Sequence, residues 1–355
     1  MTRRRAAGTL LFVLSGVLPG CRGSDAERPP ARVDGAWPVM GTILRITALA
    51  ADEATGRGAL EAGRVAVFRV DSLMSTYKPD SEISVLNAAA GTGAWTALSP
   101  WTEEVLAASL RWARRSGGAF DPTVGPLMRA WGFRGGPKRP PDPAALATAR
   151  AHVGWQAVTL DTAGHRARLE RPAMALDFGG VAKGYALDRA LDEMRRAWAL
   201  SGMADLGGNV AVYGPAPSGD GWRLGIRHPR RTAETMGRVT LERGSVATSG
   251  DYEQMFEVEG VRYGHIMDPR TGAPARGIVA VTVAAPDGLL ADVLSTTLFV
   301  MGPEAGGRLL EHAFPDGGVT ALWVLDAGSR PVDRAHVVTR EDSTFAPLTL
   351  ELPGG

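Results

Sequence analysis

The sequence predicts an α+β fold: one large domain of mixed strands and helices, preceded by an N-terminal signal and a short tether. Three observations carry this. The chain has 355 residues, 45% of them hydrophobic and 22% charged, which suits a globular protein with a sizeable core. Strand and helix patterns are mixed, and the second half clusters strands without a helix after each, which disfavours a regular doubly wound sheet. Beyond residue 36 no stretch has the composition of a second linker, so residues 37–355 read as one unit.

Residues 1–20 read as a lipoprotein signal peptide. Arg3, Arg4 and Arg5 precede an apolar run to Leu18 that is too short for a comfortable transmembrane helix. Cys21, the single cysteine, follows "LPG" directly. A lone cysteine in an exported chain has no internal disulfide partner. Its position resembles a bacterial lipobox, with Pro19 in place of the usual small residue, so the expectation is a lipid on Cys21 and attachment to a bacterial membrane, facing the periplasm or outer surface. The alternative is simple cleavage nearby and a free soluble protein. Residues 21–36 carry Pro and charge and read as a tether. The net charge of +1 argues against a nucleic-acid partner.

Taken in order, "WPVMGTILRITAL" reads as a strand. From Asp52 to Met74, Leu60, Val67, Val70 and Met74 recur at helical spacing. "MSTYKPDSEISVLN" reads as a loop ending in a short helix. In "SPWTEEVL" Ser99 caps, Pro100 takes the first helical position, and Glu103 and Glu104 favour the positive end of the dipole. That helix stops at Gly117 and Gly118. "GFRGGPKRPPDP" reads as a surface loop, and "AVTLD" with "RARLE" as a hairpin pair. In "ALDFGGVAKGYALDRALDEMRRAW", Leu187, Ala190, Leu191, Met194 and Trp198 mark one helical face. "ADLGGNVAVYG", "WRLGIRH", "GRVTLE", "GSVATSG", "IVAVTVAAP" and "VTALWVLD" read as strands. "DGLLADVLSTTLFVMG" reads as a mostly buried helix ending at Gly302, and "PEAGGRLLEHAF" as another.

Five clusters carry candidate chemistry. The first is the glycine-rich helix start from Asp177 to Gly184, whose N–H groups suit a phosphate, with Lys183 adding charge. Tight helix packing with Asp177 as a cap explains it equally well. The second is "LLADVLSTT". Asp292 and Thr296 lie one helical turn apart with Ser295 beside them, three oxygens suited to a hard cation such as Mg²⁺. The competing reading has Ser and Thr bonding back to the helix, but an aspartate buried in an apolar segment needs a partner. The third runs from Ser245 to Pro274. Here His265 is a candidate general base, with Asp251 as competitor, and "DPRTG" is a turn by composition. The fourth is "GGAFDPTVGPL" and the fifth the pair Met40 and Tyr77, suited either to an aromatic ligand or to the core. No GxGxxG, P-loop, HExxH, CxxC or GxSxG pattern is present.

Together these stretches resemble the FAD:protein FMN transferases of the ApbE type. The pieces occur in that family's order: "VMGT", "MSTYKPDSEISVLN", "GGAFDPTVGPL", "LDFGGVAKGYALD", "ADLGGN", "SVATSGDYEQ", "YGHIMDPRTGAP" and "ADVLSTTLFVMG". They span roughly Met40 to Gly302. The resemblance implies a T-fold-like domain that binds FAD and Mg²⁺. It implies transfer of the FMN half to a Thr or Ser hydroxyl of an exported or membrane redox protein, with release of AMP. By motif position, Met40, Tyr77, Ala119, Phe120, Asp121, Gly179, Tyr185 and Ile266 would line the FAD site. Ala182 would give a backbone carbonyl to the metal, and Asp292, Ser295 and Thr296 side-chain oxygens. Rival readings are an FAD pyrophosphatase giving FMN and AMP, a non-catalytic FAD-binding lipoprotein, and a solute-binding lipoprotein, whose repeated β–α lobes are not seen.

Overall fold

The computed structural model describes residues 29–231, 233–328 and 336–352. The expected signal peptide, Cys21 and residues 22–28 of the tether lie outside the described residues. In chain order the elements begin with β1 (Ala31–Val39), β2 (Thr42–Ala50), α1 (Glu53–Met74), α2 (Glu82–Ala88), β3 (Thr96–Ala97) and α3 (Pro100–Arg115). Then come α4 (Gly125–Ala130), α5 (Pro143–Ala151), β4 (Val158–Asp161), β5 (Arg166–Leu169), α6 (Ala182–Arg196), β6 (Ser201–Leu206) and β7 (Asn209–Tyr213). They continue with β8 (Trp222–Arg227), β9 (Thr235–Leu241), β10 (Arg243–Gly250), β11 (Met255–Val258), β12 (Val261–Gly264), β13 (Met267–Asp268) and β14 (Ala273–Pro274). The last are β15 (Ile278–Ala285), α7 (Gly288–Ala313), β16 (Thr320–Leu325), β17 (Val337–Arg340) and β18 (Leu348–Leu350).

An eight-stranded sheet in the order β1-β2-β6-β7-β10-β15-β16-β17 forms the frame. Every pairing in it is antiparallel, as the α+β expectation requires. Its side chains alternate between two buried layers. Leu44, Ile46, Ala204, Leu206, Ala247, Val281, Val283 and Trp323 face helices α1, α6 and α7. Val212, Val246, Ala280, Ala284, Leu322 and Val324 face Trp222, Leu224, Ile226, Val239 and Leu241 of a three-stranded sheet, β18-β9-β8. Period-two alternation therefore supplies both cores from one sheet.

The helix starts follow their capping residues. Asp52 accepts from Thr55 N at 2.8 Å ahead of α1, and Ser99 with Pro100 opens α3. The helix break expected at Gly302 is present: α7 is two helical stretches joined at Gly302, whose backbone is non-helical (φ 74°, ψ 174°), with Pro303 opening the second.

Several boundaries differ from expectation. The strand begins at Ala31, six residues inside the expected tether. Its polar residues alternate outward while the backbone pairs with β2 from Ala31↔Ala50 to Val39↔Thr42, so ladder bonds rather than hydrophobicity hold it. The single strand read through "VMGT" is a hairpin turning at Met40 and Gly41. The strand read through "ADLGGNVAVYG" likewise splits at Gly207 and Gly208, both with positive φ. Trp198, read on the buried face of α6, lies beyond that helix's end and is exposed.

Candidate active site

A cavity of about 1280 Å³ opens where the turns of the large sheet meet the loops around α6. It is larger than the roughly 300–1,000 Å³ typical of small-molecule sites. Met40 and Gly41 contribute from the β1–β2 turn, Gly207 and Gly208 from the β6–β7 turn, and Thr248 and Ser249 from the end of β10. Met40 has φ 51° and Gly41 φ 72°, the paired positive values of a type I′ hairpin. Asn or Gly is the usual choice at the first of these positions. A methionine there stores roughly 1–2 kcal/mol of strain, which places an apolar, polarisable side chain at the cavity rim.

The glycine-rich start of α6 is resolved residue by residue. Asp177 does not cap the helix. Its carboxylate accepts from Arg134 Nε at 2.6 Å and Nη2 at 3.1 Å, and from Gly179 N at 2.8 Å. A Cβ on Gly179 would lie 2.9 Å from Asp177 Oδ1, and one on Gly180 2.8 Å from Thr296 Oγ1. A Cβ on Gly184 would lie 1.9 Å from the Gly288 carbonyl oxygen. The first two glycines admit polar neighbours at the cavity, and the third lets α6 and α7 touch. The helix opens at Val181 without a cap from that residue's own side chain. Ala182 N bonds Phe178 O and Gly184 N bonds Asp292, so the start of α6 offers the cavity the positive end of its dipole rather than free N–H groups.

That contact brings the two motifs together. Asp292 Oδ2 accepts from Gly184 N and Oδ1 from Asn209 Nδ2, both at 2.9 Å. Asp292 is buried, and desolvation raises its pKa against the opposing pull of Lys183 and these hydrogen bonds. Asp292, Thr296 and Ala182 line the cavity. Ser295 is fully buried behind them: its hydroxyl donates to the Asp292 carbonyl and shares a 2.8 Å bond with Ser249 Oγ. Among the described residues no group of three or more His, Cys, Asp or Glu side chains is placed to hold a metal. The donors here are one carboxylate, hydroxyls and a helix-start carbonyl. This fits Mg²⁺, which takes hard oxygens and is commonly held by one or two carboxylates with substrate phosphate completing its shell.

Lys183 Nζ lies 3.8 Å from Glu253 Oε2 inside the cavity. His265 also lines it, with Nδ1 buried and no hydrogen-bond partner. Desolvation, then Lys183 and Arg134, push His265 down to about 4, so its imidazole is neutral at ordinary pH. The ring packs edge-on to Phe133 in a cluster with Phe256, Tyr263 and Trp131.

Met40, Tyr77, Ala119, Phe120, Asp121, Gly179 and Ile266 all reach the cavity. Tyr77 is 70% exposed and lies under the Arg134 guanidinium, 5.5 Å from its ring centre. Asp121 is buried, and its oxygens accept from Thr123 N, Thr123 Oγ1 and Trp155 N, which fixes the loop carrying Phe120. Two expected residues are not brought there. Tyr185 points to the other side of α6, donates to Glu104 Oε2 at 2.7 Å and lines a separate pocket. Its ring is buried edge-on against Trp101 of α3 with Arg189 over its face, so packing against α3 holds it away from the cavity. Asp251 is also outside the cavity lining, its carboxylate taken bidentately by Arg230 at 2.7 and 2.8 Å. Sequence reasoning missed Arg134, placed in a supposed surface loop, and Glu253 and Asn209. Their partners lie 43, 70 and 83 residues away in the chain, so no local pattern marks them.

A sequence model of the ApbE family matches residues 40–323. The FAD:protein FMN transferase of Treponema pallidum is 35% identical over 353 residues, covering 93% of this chain and 95% of that protein. The FAD:protein FMN transferase of Haemophilus influenzae is 35% identical over 289 residues, 79% of this chain and 80% of that one. Among solved structures, the apbe protein of Thermotoga maritima superposes with a TM-score of 0.77 at 33% identity, covering 86% of this chain and 98% of that one. The apo flavinyl transferase ApbE of Pseudomonas stutzeri gives 0.75 at 32% identity, with 88% and 94% covered. With its matched segment spanning the whole cavity from Met40 to Thr296, the chain belongs to the ApbE family.

Proposed function

We infer that this FAD:protein FMN transferase works with Mg²⁺, moves the FMN half of FAD onto a Thr or Ser hydroxyl of an acceptor protein, and releases AMP. The observation that carries the reading is the buried Asp292 carboxylate, set at the cavity beside Thr296 and beneath the glycine-rich start of α6. Asp292, Thr296 and the Ala182 carbonyl would hold the cation, with Ser295 supporting from behind. When bound, the cation neutralises charge on the diphosphate.

The chain's own groups do the rest. Lys183 and the positive end of the α6 dipole draw the anionic diphosphate into the cavity. Tyr77, Phe120 and Met40 offer faces for planar rings. The acceptor oxygen attacks the FMN phosphorus, the bond from that phosphorus to the bridging oxygen breaks, and AMP leaves with it. The hydroxyl proton passes to His265, whose imidazole is neutral and lines the cavity. Asp251, held by Arg230, has no comparable freedom.

The leader supports a place outside the cytoplasm, with the chain exported and anchored through a lipid on Cys21. The acceptor is then an exported or membrane redox protein. The test is to incubate the protein with FAD and Mg²⁺, with and without a co-expressed candidate acceptor, and to weigh the acceptor by mass spectrometry. FMN added to a Thr or Ser is the expected result. Free FMN and AMP alone, with no adduct, would make the enzyme a pyrophosphatase. His265→Ala should slow transfer by about 100-fold or more while FAD affinity stays close to intact; full activity would remove His265 from the role.

A further inference from the structure

Trp198 is 81% exposed and Leu200 57% exposed, two residues apart at the corner between the end of α6 and the start of β6, and neither lines the cavity. Trp198 is also held in the left-handed region, with φ 66°. It stands just after the C-cap of α6, where Trp198 N donates to Arg195 O at 3.0 Å and Ala199 N to Met194 O at 3.1 Å. Glycine is the usual residue at such a helix end. A bulky side chain kept there, strained and unburied, serves something other than the fold.

The corner's neighbours suggest what covers it. Leu200 N donates to Leu49 O at 2.7 Å, and the β1–β2 register pairs Arg32 with Leu49 and Ala31 with Ala50. The chain therefore enters the fold beside Trp198 and Leu200. Residues 22–30 separate Cys21 from Ala31 and span at most roughly 30 Å when extended. The basic side chains nearby are already paired: Arg32 with Asp34, Arg195 with Asp192, Arg196 with Glu193. The corner is thus apolar with neutralised charge, the chemistry of a lipid interface rather than of an anionic polymer.

We propose that Trp198 and Leu200 form a membrane-docking corner that seats in the interfacial layer of the bilayer to which Cys21 is anchored. This rests on the lipid-anchor reading above. It also orients the enzyme. Met40, at the cavity, lies at the far end of β1 from Ala31, a strand of nine residues. At about 3.3 Å per residue the cavity rim stands roughly 27–30 Å along the strand from the docking corner.

The test uses the full chain, purified and reconstituted on phosphatidylcholine vesicles containing acyl-brominated lipid. Tryptophan quenching reports insertion, flotation reports attachment, and the mass of the Cys21 peptide reports lipidation. Wild-type emission should be quenched, Trp198→Gly should lose that quenched component, and phosphatidylglycerol should add little. Vesicle affinity of Cys21→Ser protein should fall by about tenfold or more when Trp198 is also replaced. Trp198→Gly should raise Tm by roughly 2–4 °C because glycine relieves the left-handed strain. A lipidated, attached wild-type protein without Trp198 quenching overturns the docking corner and leaves the anchor standing. Quenching without lipid on Cys21 supports the corner and removes the anchor. A lowered Tm for Trp198→Gly, quenching only with anionic lipid, or a concentration-dependent dimer that buries Trp198 without vesicles each overturns the proposal.

Discussion

The Asp292 carboxylate is enclosed by protein yet receives two hydrogen bonds, from Gly184 N and Asn209 Nδ2, and feels the Lys183 ammonium. An enclosed carboxylate is costly unless paired, and Asp292 lines the cavity together with Thr296. Asp292→Asn keeps shape and removes charge. It should cut Mg²⁺-dependent flavin transfer by about 100-fold or more, read as initial rate against Mg²⁺ concentration; an unchanged metal dependence would sink the assignment. His265 gives a second prediction. Burial holds it down to about 4, below the ordinary 6.5 of a histidine, so the unfolded chain binds the extra proton between those values. The contribution of His265 to stability is complete above pH 6.5 and is lost as pH falls toward 4. The stability difference between wild type and His265→Gln, from denaturant titrations, should rise with pH across that window and then level off. A flat difference would show that the imidazole is not buried neutral. Asp292 and His265 were legible as candidates because rare residue types stood in apolar or glycine-rich settings. Arg134 was not: its ion pair with Asp177 forms only when two distant loops meet.

At the scale of elements, the decisive contact is the crossing of α6 and α7 at Gly184 and Gly288. The Gly288 carbonyl fills the space that a Cβ on Gly184 would need, and Asp188 reaches across to accept from Gly288 N at 2.6 Å and Leu289 N at 2.8 Å. The same crossing sets Asp292 against the start of α6. Gly184→Ala should therefore cost about 3 kcal/mol in stability and weaken metal-dependent turnover together, read by denaturant unfolding and by rate. A stable, fully active variant would show that the helices separate without consequence. Helices with a capping residue, such as α1 after Asp52 and α3 after Ser99, were readable to within a residue or two. The hairpins at Met40–Gly41 and Gly207–Gly208 were not. The first lacks the Asn-Gly or Asp-Gly signal, and in both the flanking alternation runs on without a break. The extra length of β1 escaped for a different reason: ladder bonds to β2 hold a stretch whose own composition is that of a linker.

Over the whole molecule, the cavity is assembled from segments that begin at Met40 and end at Thr296. The β1–β2 turn, the loops at Tyr77 and Phe120, the start of α6, the end of β10, the His265 region and α7 each give part of the wall. A ligand that touches all of them couples their stability, because it binds the assembled form and not the unfolded chain. FAD at 100 times its Kd should raise the unfolding free energy by about 2.7 kcal/mol, seen as a higher Tm. If the diphosphate and the cation share the Asp292 corner, Mg²⁺ should add a further increment only when FAD is present, since one carboxylate and hydroxyls make a weak site alone. Asp292→Asn should keep most of the FAD shift, which the distant rings and the α6 start supply, and lose the Mg²⁺ increment. Four melts of each protein decide it: alone, with Mg²⁺, with FAD, and with both. An Mg²⁺ increment that is independent of FAD, or one that survives in Asp292→Asn, would separate the two ligands and dissolve the joint site.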